Sequence, residues 1–168
     1  MRILGIDPGY AIVGYGFVDY NRLKFNVVAY GAITTKAHTP FPQRLQDIYN
    51  DMLELIDTYK PDCLAIEKLY FNTNTTTAID VAQARGVIVL AAQTRGVAVY
   101  EYTPLQVKQA VTGYGRAEKR QVMEMVKSIL CLNKIPKPDD TADALALAVC
   151  HGHYSGSCYS KICLEIKK

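Results

Sequence analysis

The chain opens with Met1-Arg2-Ile3-Leu4-Gly5-Ile6-Asp7-Pro8-Gly9, an apolar run that ends on a single carboxylate. The apolar residues predict a buried strand, and the Pro-Gly pair after Asp7 predicts a turn. Asp7 is therefore expected at the carboxyl end of a core strand, where open α/β sheets place their chemistry. Asp is also common as the first residue of a turn, so this stretch alone leaves a structural and a catalytic role for Asp7 equally open.

Length and composition are those of one globular domain. The chain has 168 residues, of which 49% are hydrophobic and 21% charged, enough for a core without disulfides or structural metal. No stretch has the length of a membrane span, and the start leads into a strand rather than a signal peptide, so we expect a cytoplasmic protein without membrane contact. We expect a single domain over residues 1–154 and a short polar tail, residues 155–168, that is poorly ordered.

The cysteines and histidines near the C-terminus do not form a recognisable metal motif. Five cysteines are present, none in a Cys-x-x-Cys pair, which is more typical of small, mostly buried thiols than of a disulfide or zinc framework. Cys150, His151 and His153 are close in sequence, but their spacing matches no zinc pattern.

Hydrophobic periodicity predicts an α/β fold. Three N-terminal strands with short connections, the third ending near Ile33, predict an antiparallel meander. Apolar side chains then recur at helical spacing from Pro42 to Tyr59, and Lys60-Pro61 ends that helix. Further along the chain we predict strands at 63–67 and 97–102, and helices at 77–95, 104–111, 116–130 and from about 140 through 148 or beyond.

A second predicted strand ends on a carboxylate, as the first does. Cys63-Leu64-Ala65-Ile66 leads directly into Glu67. A strand reached through a helix normally lies parallel to its neighbour in the sheet, so we expect Asp7 and Glu67 to emerge at the same edge. The alternative for Glu67 is an exposed strand end beside Lys68.

Two further carboxylates, Asp140 and Asp143, lie three residues apart at the start of the last predicted helix, on one face of its first turn. One Asp there is often a cap favoured by the helix dipole, but a second adds repulsion. Two carboxylates about 4 Å apart repel by roughly 4 kcal/mol at an effective dielectric near 20. Hard divalent cations such as Mg²⁺ or Mn²⁺ offset such repulsion, and two of them can support phosphodiester cleavage.

The segment before this acidic cluster is basic. Residues 101–138 carry seven Lys or Arg against three Glu, a local charge of +4, which suggests a surface for a polyanion beside a site for cations. A glycine-containing turn at 112–115, between two helices, is typical of phosphate binding, although a solvated helix corner is the alternative. The basic residues that flank this turn are Lys108, Arg116, Lys119 and Arg120.

Tyr70 and Phe71 follow Glu67 in a polar loop. These rings either cap the core or stack on an unpaired base. The next helix, predicted over residues 77–95, is rich in Ala and Gly, which permits close approach of another helix from the core or from a second subunit.

Five stretches in order resemble the RuvC family of crossover junction endodeoxyribonucleases. The resemblance spans about residues 1–154 and implies a ribonuclease H-like fold, a five-stranded mixed sheet flanked by helices. The stretches are Gly5-Ile6-Asp7-Pro8-Gly9, Ala65-Ile66-Glu67, Gln83-Ala84-Arg85-Gly86, the segment from Gln106-Val107-Lys108 to Ala117-Glu118-Lys119, and Asp140-Thr141-Ala142-Asp143-Ala144-Leu145-Ala146.

The resemblance implies a Mg²⁺-dependent nuclease, with two ions per site and Mn²⁺ as a possible substitute. It implies a homodimer that resolves four-way (Holliday) junctions by nicking two strands of like polarity, with RuvA and RuvB as partners. The implied catalytic and metal-binding residues are Asp7, Glu67, Asp140 and Asp143. Lys108 and Lys119 are expected on scissile-strand phosphates and Tyr70, where the family often has Phe, near the junction centre; Phe71, Arg116 and Arg120 are predicted to be further DNA contacts.

Two other kinds of protein with the same fold are alternatives. Actin-like ATPases and sugar kinases also open with a strand followed by Gly-x-Asp and Gly, but they use two facing domains. A non-catalytic DNA-binding or scaffold module would be expected to lose at least one of the four carboxylates. The chain departs from the family pattern at Lys68, and residues 150–153 and the tail match nothing in it.

Overall fold

The computed structural model describes residues 1–68 and 75–156. Within these residues five strands form one mixed sheet in the order β3-β2-β1-β4-β5, and five helices flank it, as predicted. The elements are β1 (Arg2–Asp7), β2 (Ile12–Asn21), β3 (Lys24–Thr34), α1 (Phe41–Tyr59), β4 (Cys63–Glu67), α2 (Thr75–Thr94), β5 (Ala98–Tyr102), α3 (Pro104–Thr112), α4 (Lys119–Ile129) and α5 (Asp139–Gly156).

The first three strands form the predicted antiparallel meander, and the crossovers through α1 and α2 add β4 and β5 in parallel. As a result β1, β3, β4 and β5 run in one direction and end at one side of the sheet. We call this side the carboxyl edge; it contains Asp7, Thr34, Glu67 and Tyr102, the last residues of those four strands.

Both faces of the central strands are buried, as expected for a sheet covered by helices on both sides. Ile3 and Cys63 pack in the cluster formed with α3, α4 and α5. Leu4 and Leu64 pack in the cluster formed with α1 and α2. Since side chains alternate along a strand, odd-numbered residues of β1 and β4 face α5.

Glycines let α5 lie directly on the sheet. A Cβ atom on Gly5 would be 1.9 Å from the carbonyl oxygen of Ala144, and one on Gly14 would be 2.0 Å from that of Asp140. Any side chain at these positions would push the helix away. The hydroxyl of Thr141 also donates to the carbonyl of Gly31 in β3 at 3.0 Å, so the first turn of α5 is fixed over the carboxyl edge.

Some predicted boundaries were wrong. The helix predicted from Arg116 begins at Lys119, because the chain turns at 113–118 and the Glu118 N–H is satisfied by the Gln121 side chain at 2.9 Å. In this helix Met123 is buried, whereas Met125 is 40% exposed.

The last helix runs past Ala148, as the prediction allowed, and includes the first residues of the predicted tail. It continues to Gly156, so residues 155 and 156 are helical, and the predicted disorder of the remaining tail lies outside the described residues.

None of the helices in residues 1–68 and 75–156 is long and apolar enough to span a bilayer.

Candidate active site

Asp7 and Glu67 end adjacent parallel strands. Ile6 lies opposite Ile66 in the ladder, so the two acids that follow are neighbours about 5 Å apart along the hydrogen-bonding direction. Both occupy odd positions and therefore face α5. This confirms the prediction that Asp7 and Glu67 emerge at one edge.

Asp140 and Asp143 come to the same place from the other side. They lie in the first turns of α5, which the glycine contacts hold against β1 and β2. Gly14, whose lack of a side chain admits the main chain of Asp140, is also the ladder partner of Asp7. The structure thus brings together four carboxylates that are up to 136 residues apart in sequence.

The electrostatics of Asp7 reflect this convergence. Burial, together with the charges of Asp143, Glu67 and Asp140, raises the pKa of Asp7 to about 8, and Lys119 opposes the shift. Burial and Asp143 likewise raise the pKa of Glu67. Like charges held together in a partly desolvated place disfavour ionisation, so the protein alone does not stabilise these acids as carboxylates.

Lys119 provides the cationic side chain that pairs with this cluster. Its ammonium group lies 2.8 Å from Asp143 Oδ2 and 3.8 Å from Asp139 Oδ2. The hydrogen bond with Asp143 raises the pKa of Lys119. Asp139 differs from its neighbours because it pairs with Lys137 at 2.6 Å, which lowers its pKa.

A cleft of about 270 Å³ opens beside the carboxylates. It is lined by Glu67 and Asp143 and also by Lys108 and Lys119, so acidic and basic groups share one space. Lys108 is presented by α3, whose start is fixed by a reciprocal pair of hydrogen bonds between Thr103 and Gln106, 2.8 and 3.1 Å long. This is a capping box, formed by the Thr at the N-cap and the Gln three residues later.

The donor set suits a hard divalent cation. Within the described residues, no three His, Cys, Asp or Glu side chains are gathered closely enough to hold a metal ion as they stand, and Lys119 pairs with Asp143 instead. The four acids nevertheless supply only carboxylate oxygens, the ligands that Mg²⁺ and Mn²⁺ prefer. A cation would also relieve the repulsion that raises the pKa of Asp7.

Arg85 of α2 contacts the site from the other face of the sheet, a role that was not predicted from the sequence. Its Nε donates to the main-chain carbonyl of Glu67 at 3.2 Å, and a terminal nitrogen pairs with the Glu101 carboxylate of β5. Arg85 therefore fastens the ends of β4 and β5 together at Glu67. The residue lies in the stretch 83–86 that carries the family resemblance, but periodicity alone does not reveal a contact between helix and strand end.

The other predicted DNA contacts either do not line this cleft or lie outside the described residues. Arg116 and Arg120 are exposed, on the turn before α4 and in its first turn, and neither lines the cleft. Tyr70 and Phe71 lie outside the described residues. The main-chain N–H of Lys68, the departure from the family pattern, donates to Tyr102 at 2.8 Å and extends the ladder by one bond.

The histidines near the end of α5 have structural partners. His151 Nδ1 and the Tyr102 hydroxyl are 2.7 Å apart in the core, and burial lowers the pKa of His151 to about 4, so its ring is neutral. His153 donates to the Ala110 carbonyl at 2.8 Å. Cys150 is buried, and burial raises the pKa of its thiol to about 12.

Comparison with known proteins gives consistent matches over most of the chain. Residues 3–151 match the family model described as crossover junction endodeoxyribonuclease RuvC. A protein of that description from Alkaliphilus metalliredigens is 63% identical over 153 residues, 91% of this chain and 93% of that protein.

Solved structures agree with the sequence matches. The Thermus thermophilus RuvC structure superposes with a TM-score of 0.85 at 37% identity, covering 92% of this chain and 95% of that one. A second structure of T. thermophilus RuvC, in complex with a Holliday junction substrate, gives a TM-score of 0.84 at 34% identity over the same shares.

Proposed function

The chain belongs to the RuvC family of crossover junction endodeoxyribonucleases, and from this premise we propose that it resolves four-way DNA junctions by hydrolysing phosphodiester bonds at the carboxyl edge. The observation that carries the proposal is the convergence of Asp7, Glu67, Asp140 and Asp143 from three separate elements. The family match also decides against the actin-like ATPase and sugar-kinase reading. A non-catalytic module would have no use for Asp7 and Glu67, whose burial opposes their ionisation, beside two further aspartates.

We propose that Mg²⁺ is the metal, with two ions per site and Mn²⁺ able to substitute. Asp7, Glu67, Asp140 and Asp143 would hold the ions, because they supply carboxylate oxygens at one place and, among the described residues, none of them pairs with an arginine. Divalent ions at such a site supply Lewis-acid stabilisation of the phosphate and activation of the attacking water.

The chain's own cations would bind the substrate. Lys108 and Lys119 line the same cleft as Glu67 and Asp143, which suits a phosphate bound by the lysines beside the acids. Lys119 would exchange its contact with Asp143 for one with the phosphate, and Asp143 would then be free for the metal. The water oxygen forms a bond to phosphorus as a phosphorus–oxygen ester bond breaks, leaving a nick. Arg116, Arg120, Tyr70 and Phe71 remain proposed contacts with the junction arms and centre.

We propose that the protein acts as a homodimer joined through α2. One face of α2 carries Ile79 and Leu90, which are 58% and 57% exposed, with exposed Gln83 and Gly86 between them. A Cβ on Gly86 would meet nothing within 4 Å in this chain, so folding of one protomer does not require glycine there. A two-fold dimer would present two identical sites to a two-fold junction and nick two strands of like polarity.

The dimer surface is tested by Leu90→Glu, with Leu23→Glu as the control, because Leu23 is 77% exposed in the β2–β3 turn. Light scattering should find the Leu90 variant monomeric and the control dimeric. A dimeric Leu90 variant would remove α2 from the interface.

RuvA and RuvB as partners follow from the resemblance, and the cytoplasm as compartment follows from the sequence. Both stay predictions. Binding of the purified protein to a junction with RuvA already bound would test the first.

The function is tested with a synthetic four-way junction and a plain duplex of the same sequence, each with and without Mg²⁺. We expect paired, symmetric nicks in the junction only, and only with the metal. Mn²⁺ in place of Mg²⁺ should also support nicking. Binding without nicks under every metal condition would favour the non-catalytic module, and equal nicking of duplex would contradict junction specificity.

A further inference from the structure

The N-terminal part of the chain contains a basic stretch that the functional site does not account for. Residues 20–46 carry four Lys or Arg and no Asp or Glu. Arg22 and Lys24 lie at the turn between β2 and β3, far from the carboxyl edge. Lys36 and Arg44 lie beyond the end of β3 and in the first turns of α1, at the carboxyl edge.

Arg44 is held rigidly in this region. Its guanidinium carbon lies 4.8 Å from the centre of the Tyr10 ring, and its Nε donates to the Thr35 hydroxyl at 2.7 Å. That hydroxyl in turn donates to the Tyr10 carbonyl at 2.8 Å, and the Tyr10 ring packs edge-on against Phe41. The aromatic ring and the hydroxyl thus fix the plane of the guanidinium.

The free side of this guanidinium suits a phosphate. Among residues 1–68 and 75–156, Arg44 forms no ion pair, and its two terminal nitrogens have no acceptor in the structure. Arginine with a fixed fork binds phosphate oxygens in pairs and loses little side-chain entropy in doing so. The neighbouring Lys36 is exposed, so a second cation is available within the same acid-free stretch.

Arg44 and its partners lie at the same edge of the sheet as the four carboxylates. Tyr10 is three residues beyond Asp7, and Thr35 directly follows β3, so the cluster is anchored on the carboxyl edge. Arg44 belongs to α1, which covers the face of the sheet opposite α3 and α4. Lys108 and Lys119 lie on those two helices. The two cationic groups therefore flank the four acids on opposite sides.

We propose that Lys36 and Arg44 form a second phosphate-binding surface that holds a duplex arm of DNA on the side of the carboxylates away from Lys108 and Lys119. The proposal rests on the proposed function, since it is the DNA cut at the carboxylates that passes over both sides. Duplex DNA carries one negative charge per about 1.7 Å of its axis, so an arm crossing this edge brings phosphates to both cationic groups.

The test compares two double variants that lose the same charge. Lys36→Gln/Arg44→Gln removes the proposed surface, and Arg22→Gln/Lys24→Gln removes two charges from the same stretch at the far end of the sheet. Binding of each to a synthetic junction is measured in EDTA over a range of salt concentrations, so that no cleavage occurs. Losing two phosphate contacts should reduce the log-log salt slope by about 1.8, and the control should keep the wild-type slope.

Because Arg44 also packs on Tyr10, Lys36→Gln alone is measured as well, with an expected reduction of about 0.9. Unchanged slopes in both Lys36 variants, or equal reductions in the control, would overturn the proposal. Junction nicking by the wild-type protein distinguishes failure of this proposal from failure of the proposed function. If wild type nicks the junction while the slopes stay unchanged, only the second surface is lost; if wild type neither binds nor nicks it, the proposed function fails as well.

Discussion

Carboxylates at the two edges of the sheet have opposite surroundings. Where β1 begins, Asp19 pairs with Arg2 at 2.8 Å and Asp57 pairs with Arg95 at 2.7 Å. These hydrogen bonds lower the pKa of both aspartates. Asp19 and Asp57 each have an arginine partner that stabilises the charged carboxylate in the folded chain.

At the carboxyl edge the acids face one another. Burial and neighbouring carboxylates raise the pKa of Asp7 to about 8 and raise that of Glu67 as well. The described cation that pairs with an acid of this cluster, Lys119, contacts Asp143. Acids at one edge are thus paired with arginines, whereas at the carboxyl edge burial and neighbouring acids disfavour their ionisation. The second arrangement is the one that a site for an external cation requires.

Cleavage should depend on one edge and not on the other. Asp7→Asn should lower the rate of junction nicking by at least about 10³-fold, because a metal ligand contributes several kcal/mol to transition-state stabilisation. Asp19→Asn, the matched change at the opposite edge, should leave the rate unchanged and cost roughly 0.2–1 kcal/mol of stability. Single-turnover nicking and urea unfolding of both variants measure this. Equal losses of activity in the two variants would show that the two edges do not differ in their role in cleavage.

Arg85 should matter through the position of Glu67. Arg85→Ala frees the Glu67 carbonyl and should reduce the single-turnover rate about 10- to 100-fold, since small displacements of catalytic groups have effects of that size. Junction affinity in EDTA should stay the same, and Arg85→Lys should restore part of the rate. Arg95→Ala, which removes the arginine paired with Asp57, is the control and should leave nicking intact. Weakened binding with an unchanged rate would make Arg85 a DNA contact instead.

The metal-free protein should lose stability as pH rises. Folded Asp7 keeps its proton up to about pH 8, whereas the unfolded chain releases it near pH 4, so the folded state binds more protons between these values. The free energy of unfolding should therefore fall with rising pH, by at most about 1.4 kcal/mol per unit, and level off above about pH 8. Urea unfolding in EDTA measures this, and Asp7→Asn should show a much flatter profile. A wild-type profile that rises with pH over this range would contradict the pKa direction.

The sequence predicts the parts of the site that depend on local pattern and chain order. Asp7 and Glu67 could be placed at one edge because a strand reached through a helix lies parallel to its neighbour. Asp140 and Asp143 could be placed on one helical face from their spacing. Their joint proximity to Asp7 came from the family resemblance, since nothing in periodicity says where α5 crosses the sheet.

Contacts between elements were not predictable in the same way. The approach of α5 depends on Gly5 and Gly14, whose role appears only when the helix lies on them. The pair between Lys119 and Asp143 joins two helices, and the charge count of the basic segment gave no partner for it. The acid-free stretch around Arg44 was not evident from overall charge, because residues 1–100 contain nine Lys or Arg and nine Asp or Glu. Tyr70 and Phe71 stay predictions, because they lie outside the described residues.

The most direct test of the account is the melting temperature of wild type and Asp7→Asn at about pH 9, in EDTA and in Mg²⁺. Above its raised pKa, Asp7 is mostly ionised beside the other acids, so in EDTA the variant should melt higher, by about 2–4 °C for each kcal/mol of relieved repulsion. Mg²⁺ should raise the wild-type melting temperature far more than that of the variant and reverse the order. An Asp7→Asn protein that melts lower than wild type in both conditions would show that Asp7 is a structural turn residue and not part of a cation site.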